Sequence, residues 1–252
     1  MRKQGWRLSW LFLAVFCIVL IATAPATLLS SAVSAASKGQ FVLANAEGSI
    51  WRGSATPALR QHNGNLLVLE KLHWDMALLR FFTGKLVIDL QWSHVEQAQP
   101  MIVTVTVNQI ELRNAVLPLY AGLFGEVVPM MKPIQLSGPL LIRSPLFTLT
   151  RQGVNGTATA VWSNASSVLS AVQPLGQYHI DLQGAGSRLD VALRTESGML
   201  LLEGNGSFTP ADGFRFHGTA RAATESKGRL DELLGNFGPE SAPGVHVLNV
   251  MQ

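Results

Sequence analysis

Lys85-Leu-Val-Ile-Asp-Leu-Gln-Trp-Ser93 alternates: Leu86, Ile88, Leu90 and Trp92 share one phase, Lys85, Asp89, Gln91 and Ser93 the other. Successive side chains of a strand point to opposite faces, so a period of two reads as a half-buried β-strand. The same rule extends outward in both directions. Upstream, Leu66 to Met76 places Leu66, Val68, Leu72, Trp74 and Met76 on one face and Lys71, His73 and Asp75 on the other. Downstream, Met101 to Val107 follows, and then Val154 to Trp162, with Asn155, Thr157 and Thr159 on the polar phase. Tyr178, Ile180 and Leu182 alternate with His179, Asp181 and Gln183; Leu189, Val191 and Leu193 alternate with Arg188, Asp190 and Arg194. Phe214, Phe216, Gly218 and Ala220 alternate with Arg215, His217, Thr219 and Arg221. Turn signals punctuate these runs at Gly184-Ala-Gly186, Glu196-Ser-Gly198, Gly204-Asn-Gly206 and Pro210-Ala-Asp-Gly213. Strands at this spacing predict an antiparallel meander.

Helical signals beyond the N-terminal region are few. Asn114 to Phe124 is apolar but broken by Pro118 and Gly122, whereas Gly228 to Gly235 carries Leu230, Leu233 and Leu234 at helical spacing before a glycine stop. Prolines 129, 133, 139 and 145 suggest either a junction between two lobes or an irregular sheet edge. The fold class expected is mainly β: an N-terminal transmembrane helix, then a curved antiparallel sheet with few short helices. The apolar face needs a cover. A second sheet or barrel closure supplies one, and an open groove holding another molecule is the alternative.

Trp10 to Ala22 carries no charge, and no Asp, Glu, Lys or Arg falls between Arg7 and Lys38. Arg2, Lys3 and Arg7 precede it, which by the positive-inside bias keeps residues 1–9 in the cytoplasm. Two readings fit. Residues 10–30 form a membrane anchor, with 31–39 a linker, or the region is a signal peptide cleaved near Ser34-Ala35-Ala36. Both place the β-rich residues 40–252 outside the cytoplasm.

The chain is 48% hydrophobic and 14% charged, which excludes a disordered polymer. Of 19 Lys and Arg, Arg2, Lys3 and Arg7 lie ahead of Lys38, leaving 16 against 16 acidic residues. The translocated part is neutral, with no basic block for a nucleic acid. Cys17 is the single cysteine, so no disulfide can form within the chain. The histidines, at 62, 73, 94, 179, 217 and 246, form no His-x-x-x-His pair, and neither a Gly-x-Ser-x-Gly elbow nor a phosphate loop is present. No metal, no cofactor and no catalytic activity are expected.

Gly48-Ser-Ile-Trp-Arg-Gly53, with Leu72-His-Trp74 about twenty residues on, resembles the N component of the bacterial type II secretion system. Pro174-Leu-Gly-Gln-Tyr178, Gly198-Met-Leu-Leu-Leu-Glu-Gly204 and Leu230-x-x-Leu-Leu-Gly235 are similar to motifs of the same family. That family is related in turn to AsmA-like groove proteins. The resemblance implies a single-pass inner-membrane protein with a periplasmic β-domain, an accessory to the export of folded proteins across the outer membrane. Its expected partners are inner-membrane lipid and other secretion components. A lipid-binding or lipid-transfer groove protein of the envelope is the rival, and it predicts a continuous apolar channel wide enough for acyl chains.

The candidate motif or interface residues are Gly48, Trp51, Gly53, Trp74, Leu175, Gly176 and Tyr178. For Trp51, with Gly48 and Gly53, one reading is a tight turn that docks a partner or the membrane surface. The other is a hairpin folded into the core.

Overall fold

Antiparallel pairing organises the chain almost throughout. The computed structural model describes residues 12, 13, 15, 16, 19–60, 66–77, 84–95, 99–123 and 133–251. They fall into two units, Met1–Glu96 and Gln97–Gln252.

The first unit holds helix α1 (Ala26–Ala36) and strands β1 (Phe41–Gly48), β2 (Arg52–Arg60), β3 (Leu66–Val68), β4 (Leu72–Met76) and β5 (Leu86–Trp92). Their order is β1-β2-β4-β5, with β3 beside the far half of β2. In β5, Trp92 is buried and Ile88 and Leu90 pack against the core of this unit, as the alternation predicts, but Val87 on the opposite phase is buried too, at 7%. The Leu66–Met76 run is two strands, not one. Leu66 and Val68 are half exposed at 50% and 55%, while Trp74 is 5% exposed, so the core phase belongs to β4 alone. Residues read as a linker from position 31 are helical to Ala36. Alanine favours helix, and Ser31 and Ser37 return their hydroxyls to the carbonyls of Thr27 and Val33 instead of unwinding the turn.

The second unit runs β6 (Met101–Val105), β7 (Gln109–Tyr120), β8 (Leu136–Ser137), β9 (Pro139–Thr150), β10 (Gly153–Ser167), β11 (Gly176–Gly186), β12 (Arg188–Gly198), β13 (Leu200–Thr209) and β14 (Gly213–Ala222). A 3-10 turn at Thr224–Ser226, helix α2 (Asp231–Gly235), β15 (Glu240–Ala242) and β16 (Val245–Met251) complete it. The strand order is β6-β7-β9-β10-β11-β12-β13-β14-β16-β15, a path that does not close on itself.

The prolines sit where a sheet tolerates them. Pro139 opens β9, and Pro145 lies in the register shift where Arg143 faces Thr159 and Leu146 faces Thr157. The division into units falls at Glu96, upstream of the proline-rich 129–145 segment; residues 124–132 lie outside the described residues. Pro118 lies in β7 beyond the last β6 partner, Arg113, so its missing N–H costs no ladder bond there.

Register sorts the faces. Ala160, Ile180, Leu193, Gly204, Gly218 and Leu248 form one apolar row across β10, β11, β12, β13, β14 and β16. Gly204-x-Gly206 is not the turn its composition suggests but the middle of β13. A Cβ at Gly204 or Gly206 would lie 2.7 or 2.9 Å from the Phe216 ring, so these glycines leave the floor on which that ring rests. At one end of the face, α2 closes a core of Leu230, Leu233, Leu234, Leu175, Leu200 and Ala220. This is the helix that the Leu230–Gly235 spacing predicts.

Among the described residues no helix is long and apolar enough to cross a membrane. Trp10, Leu11, Ala14, Cys17 and Ile18 of the candidate anchor lie outside the described residues, as does the basic tail.

Core and pattern position separate by measurement. Leu234→Ala, at a site 2% exposed, is expected to lower unfolding free energy by about 2–4 kcal/mol in urea titration of the detergent-solubilised chain. Leu66→Ala, on the same phase of the pattern as Trp74 but exposed, is expected to change it by less than about 0.5 kcal/mol.

Candidate functional site

The Gly48–Gly53 turn joins β1 to β2, with Gly48 facing Gly53 in register. Ser49 makes the turn local: its Oγ accepts the N–H of Arg52 at 3.1 Å and of Trp51 at 3.3 Å, and its own N–H donates to Arg52 O at 2.9 Å. Gly48 holds φ +86°, and a Cβ there would stand 2.6 Å from Arg52 O. A Cβ on Gly53 would meet Glu47 O at 2.5 Å and the Trp74 ring at 2.7 Å. Only glycine fits under that indole.

The two tryptophans divide the work. Trp74 is core: it packs with Ala55 and Ala26, and its Nε1–H reaches Ile50 O at 3.1 Å and Ser49 O at 3.3 Å, so the buried ring also ties down the turn. Trp51 is half-buried and turns elsewhere. Its Nε1–H donates to Ile21 O at 2.9 Å. Ile50 N–H donates to Ala24 O at 2.9 Å, and Pro25 bridges Ser49. The turn therefore clasps the segment leading out of the apolar N-terminal stretch, whose residues 19–22 are helical. Ala24 and Ala26 are 7% and 1% exposed there. Neither earlier reading of Trp51 named this contact, because a bond across thirty residues of sequence leaves no periodic trace.

Helix α1 then runs along β1. Its Ser30 Oγ donates to Leu43 O at 2.8 Å, and Ser37 Oγ accepts the Phe41 N–H at 3.0 Å. These hydroxyls satisfy backbone groups on the side of β1 that has no strand neighbour. Arg52 pairs with Asp75 across β2 and β4, and Lys71 with Glu47 at 3.4 Å; both pairs are exposed.

Leu175, Gly176 and Tyr178 belong to the second unit. Leu175 O accepts the N–H groups of Met199 and Leu200 at 2.8 and 3.0 Å. Gly176 faces Gly198, and a Cβ on Gly176 would stand 2.6 Å from Ser197 O. Tyr178, 1% exposed, donates its hydroxyl to Leu200 O at 2.9 Å and lies against Trp162 with ring centroids 5.5 Å apart. Burial pushes its phenol far above the ordinary tyrosine range. The group is held neutral and fully engaged, which makes it a structural anchor.

The sheet of the same unit carries a concavity of about 650 Å³. Thr159, Asp181, Asn205, His217 and Asn249 line it along one cross-strand row, and Gln183, Asp190, Ser207 and Arg215 along the next. Its charges are internally matched: Arg188 meets Asp190 at 2.6 Å, Arg194 meets Asp181 at 2.8 Å, and Arg215 meets Asp212 at 3.1 Å. His179 places Nδ1 3.1 Å from Glu196 and Nε2 3.0 Å from Asp181. Ala158, Leu182, Val191, Phe216 and Val250 line it as well, so polar and apolar groups share the concavity. Among the described residues no three His, Cys, Asp or Glu side chains are placed to hold a metal ion.

Fold and site together define a sheet protein whose own N-terminal segment is clasped to its first hairpin. The family model described as type II secretion system (T2SS), protein N matches residues 40–249, and the chain belongs to that family, a component of the type II secretion system. It is 25% identical over 253 residues to type II secretion system protein N of Pectobacterium carotovorum subsp. carotovorum, covering 98% of this chain and 96% of the relative. It is 23% identical over 249 residues to the protein of that name from Klebsiella pneumoniae, covering 96% and 93%. No solved structure matches.

Gly53→Ala is expected to cost about 2 kcal/mol or more in urea unfolding, because the added methyl overlaps a backbone carbonyl and the Trp74 ring. Trp51→Phe removes the bond to Ile21 and keeps the ring; about 1 kcal/mol of local stability is lost, read as faster protease cleavage near residues 19–25. Tyr178→Phe is expected to cost about 1 kcal/mol at neutral pH through the lost bond to Leu200. It also removes an alkaline dependence. A raised phenol pKa contributes stability that is complete below the unfolded value of about 10 and drains away as pH rises beyond it, so wild type and Tyr178→Phe differ in slope only above that pH.

Proposed function

We propose that this chain is an accessory inner-membrane component of the type II secretion system, anchored once through its N-terminal stretch, with its sheets in the periplasm. It acts by binding other components of the machine. The observation that carries the reading is the clasp. Ile21, Ala24 and Pro25 are tied to the first unit by three backbone or indole contacts, and Ala26 is buried against Ala55 and Trp74. Removal of the leader after Ser34-Ala35-Ala36 would take away the whole of α1 and with it Ser30, whose hydroxyl caps Leu43. A segment that the fold uses is retained as an anchor, and the uncharged run from residue 10 onward supplies its apolar length.

Binding rather than chemistry is supported by the site residues themselves. Each motif position is spent on packing or on backbone hydrogen bonds, and among the described residues the strongly perturbed titratable group is a buried, bonded phenol. The lipid-transfer alternative predicts a continuous apolar channel, whereas the concavity mixes charge-paired polar side chains with apolar ones.

Intact-mass measurement of the membrane-extracted chain is expected to find residues 1–36 still attached. A mature form beginning near Lys38 would overturn the anchor. In a strain dependent on this component, Trp51→Ala is expected to reduce secretion severalfold while the chain remains membrane-bound and protease-resistant beyond residue 40. Full secretion by that variant would remove the clasp from the mechanism.

A further inference from the structure

Strand β16 pairs with β14 along its length, from Val245 opposite Arg221 to Met251 opposite Arg215. On its other side β15 reaches only Val245 and His246, and Val247 N–H donates to Pro239 O at 3.0 Å. In an antiparallel strand the N–H and C=O of one residue point to one side and those of the next residue to the other. Val247 points away from β14, so the backbone groups of Asn249 and Met251 do as well. Among the described residues no strand meets them there. On β1, by contrast, Ser30 of α1 and Ser37 just after it engage the outward backbone groups of Leu43 and Phe41.

An edge left open in this way is a template for one more strand. We propose that the outer edge of β16, Leu248 to Met251, receives an added strand: a short extended segment of a partner protein whose apolar and polar side chains alternate. Register dictates that chemistry. Residues of the incoming strand on the apolar face would lie beside Leu248 and Val250, whose neighbours across β14 are Gly218 and Phe216. Residues on the other face would lie beside Asn249, which already accepts a 2.6 Å contact from the His217 ring. Asn249, Val250 and Met251 also form the end of the concavity, so side chains of the incoming strand border a trough of mixed polar and apolar lining, not bulk solvent alone. Main-chain bonds supply affinity and the alternating side chains supply selection. A four-residue edge falls far short of the roughly 1,200 Å² that a stable pairing of two folded proteins buries, which favours a flexible segment over a second copy of this chain.

The inference rests on the reading of the chain as a binding component, and its test is independent of secretion. The probe is a fluorophore-labelled peptide, Lys-Val-Thr-Val-Asn-Val-Thr-Lys, titrated against the full chain in detergent and read by anisotropy. Saturable binding is expected, with slower hydrogen exchange at the amides of Asn249 and Met251. Met251→Pro deletes one outward N–H and no bond to β14, a position where an edge strand tolerates proline. It is expected to weaken the peptide about fivefold, while Met251→Ala changes it less than about twofold. Unchanged circular dichroism in both variants shows that the sheet persists. Equal affinity of Met251→Pro and wild type overturns the proposal. So does equal binding of the all-polar peptide Lys-Ser-Thr-Ser-Asn-Ser-Thr-Lys, or protection of the same amides that rises with chain concentration without peptide, which would assign the edge to self-association. Loss of secretion without loss of peptide binding would fault other contacts and leave this edge standing.

Discussion

Antiparallel pairing satisfies a strand's backbone groups only through its neighbours, so an unclosed sheet is left with two faces and two edges to manage. Most of this protein can be understood as the handling of those boundaries. In the first unit, α1 covers the buried alanines of the face and caps the β1 edge with Ser30 and Ser37. In the second, α2 seals one end of the apolar face with three leucines, while β15 shields only the first part of β16. A helix or a side-chain hydroxyl is placed where water would otherwise compete for a backbone group. The unshielded remainder is where binding is physically available.

The contact that gives the N-terminal stretch its meaning is small. Trp74 lies over Gly53, and that arrangement presents the Ser49–Trp51 turn to the chain leaving the apolar segment. Were Gly53 any larger residue, the indole would lift, and the carbonyls of Ser49 and Ile50 would lose their buried donor. The Gly-x-x-Trp-x-Gly spelling is therefore a coupling between the leader and the sheet. Its glycines make room and its tryptophan makes the bond.

The polar face of the second unit bears on the choice between partner binding and lipid handling. Two cross-strand rows of threonine, asparagine, aspartate and arginine line its concavity, and most of its charges already have opposite partners within the sheet. Ala158, Leu182, Val191, Phe216 and Val250 lie between those rows in the same lining, so the surface is mixed. Phe216 itself is laid over Gly204, Gly206 and Gly218. Glycines that look like punctuation in the sequence serve as space for a ring.

Period two in the sequence was enough to identify β6, β10, β11, β12 and β14 with their two faces, because strand geometry maps sequence parity directly onto facing; helical leucine spacing found α2, while β7, β9, β13 and β16 went unread. The glycine and tryptophan spelling around residues 48–53 pointed to the right turn. What parity cannot encode is which strands meet, since register depends on loops and bulges such as that at Pro145. It also could not separate Leu66 from Trp74, which share a phase but not a core, or see that Ser30 to Ala36 is helical because its serines bond within the chain. The clasp between Trp51 and Ile21 and the uncovered half of β16 are facts of tertiary placement alone. Each joins, or leaves unjoined, backbone groups that are distant along the chain, and local pattern carries no information about such encounters.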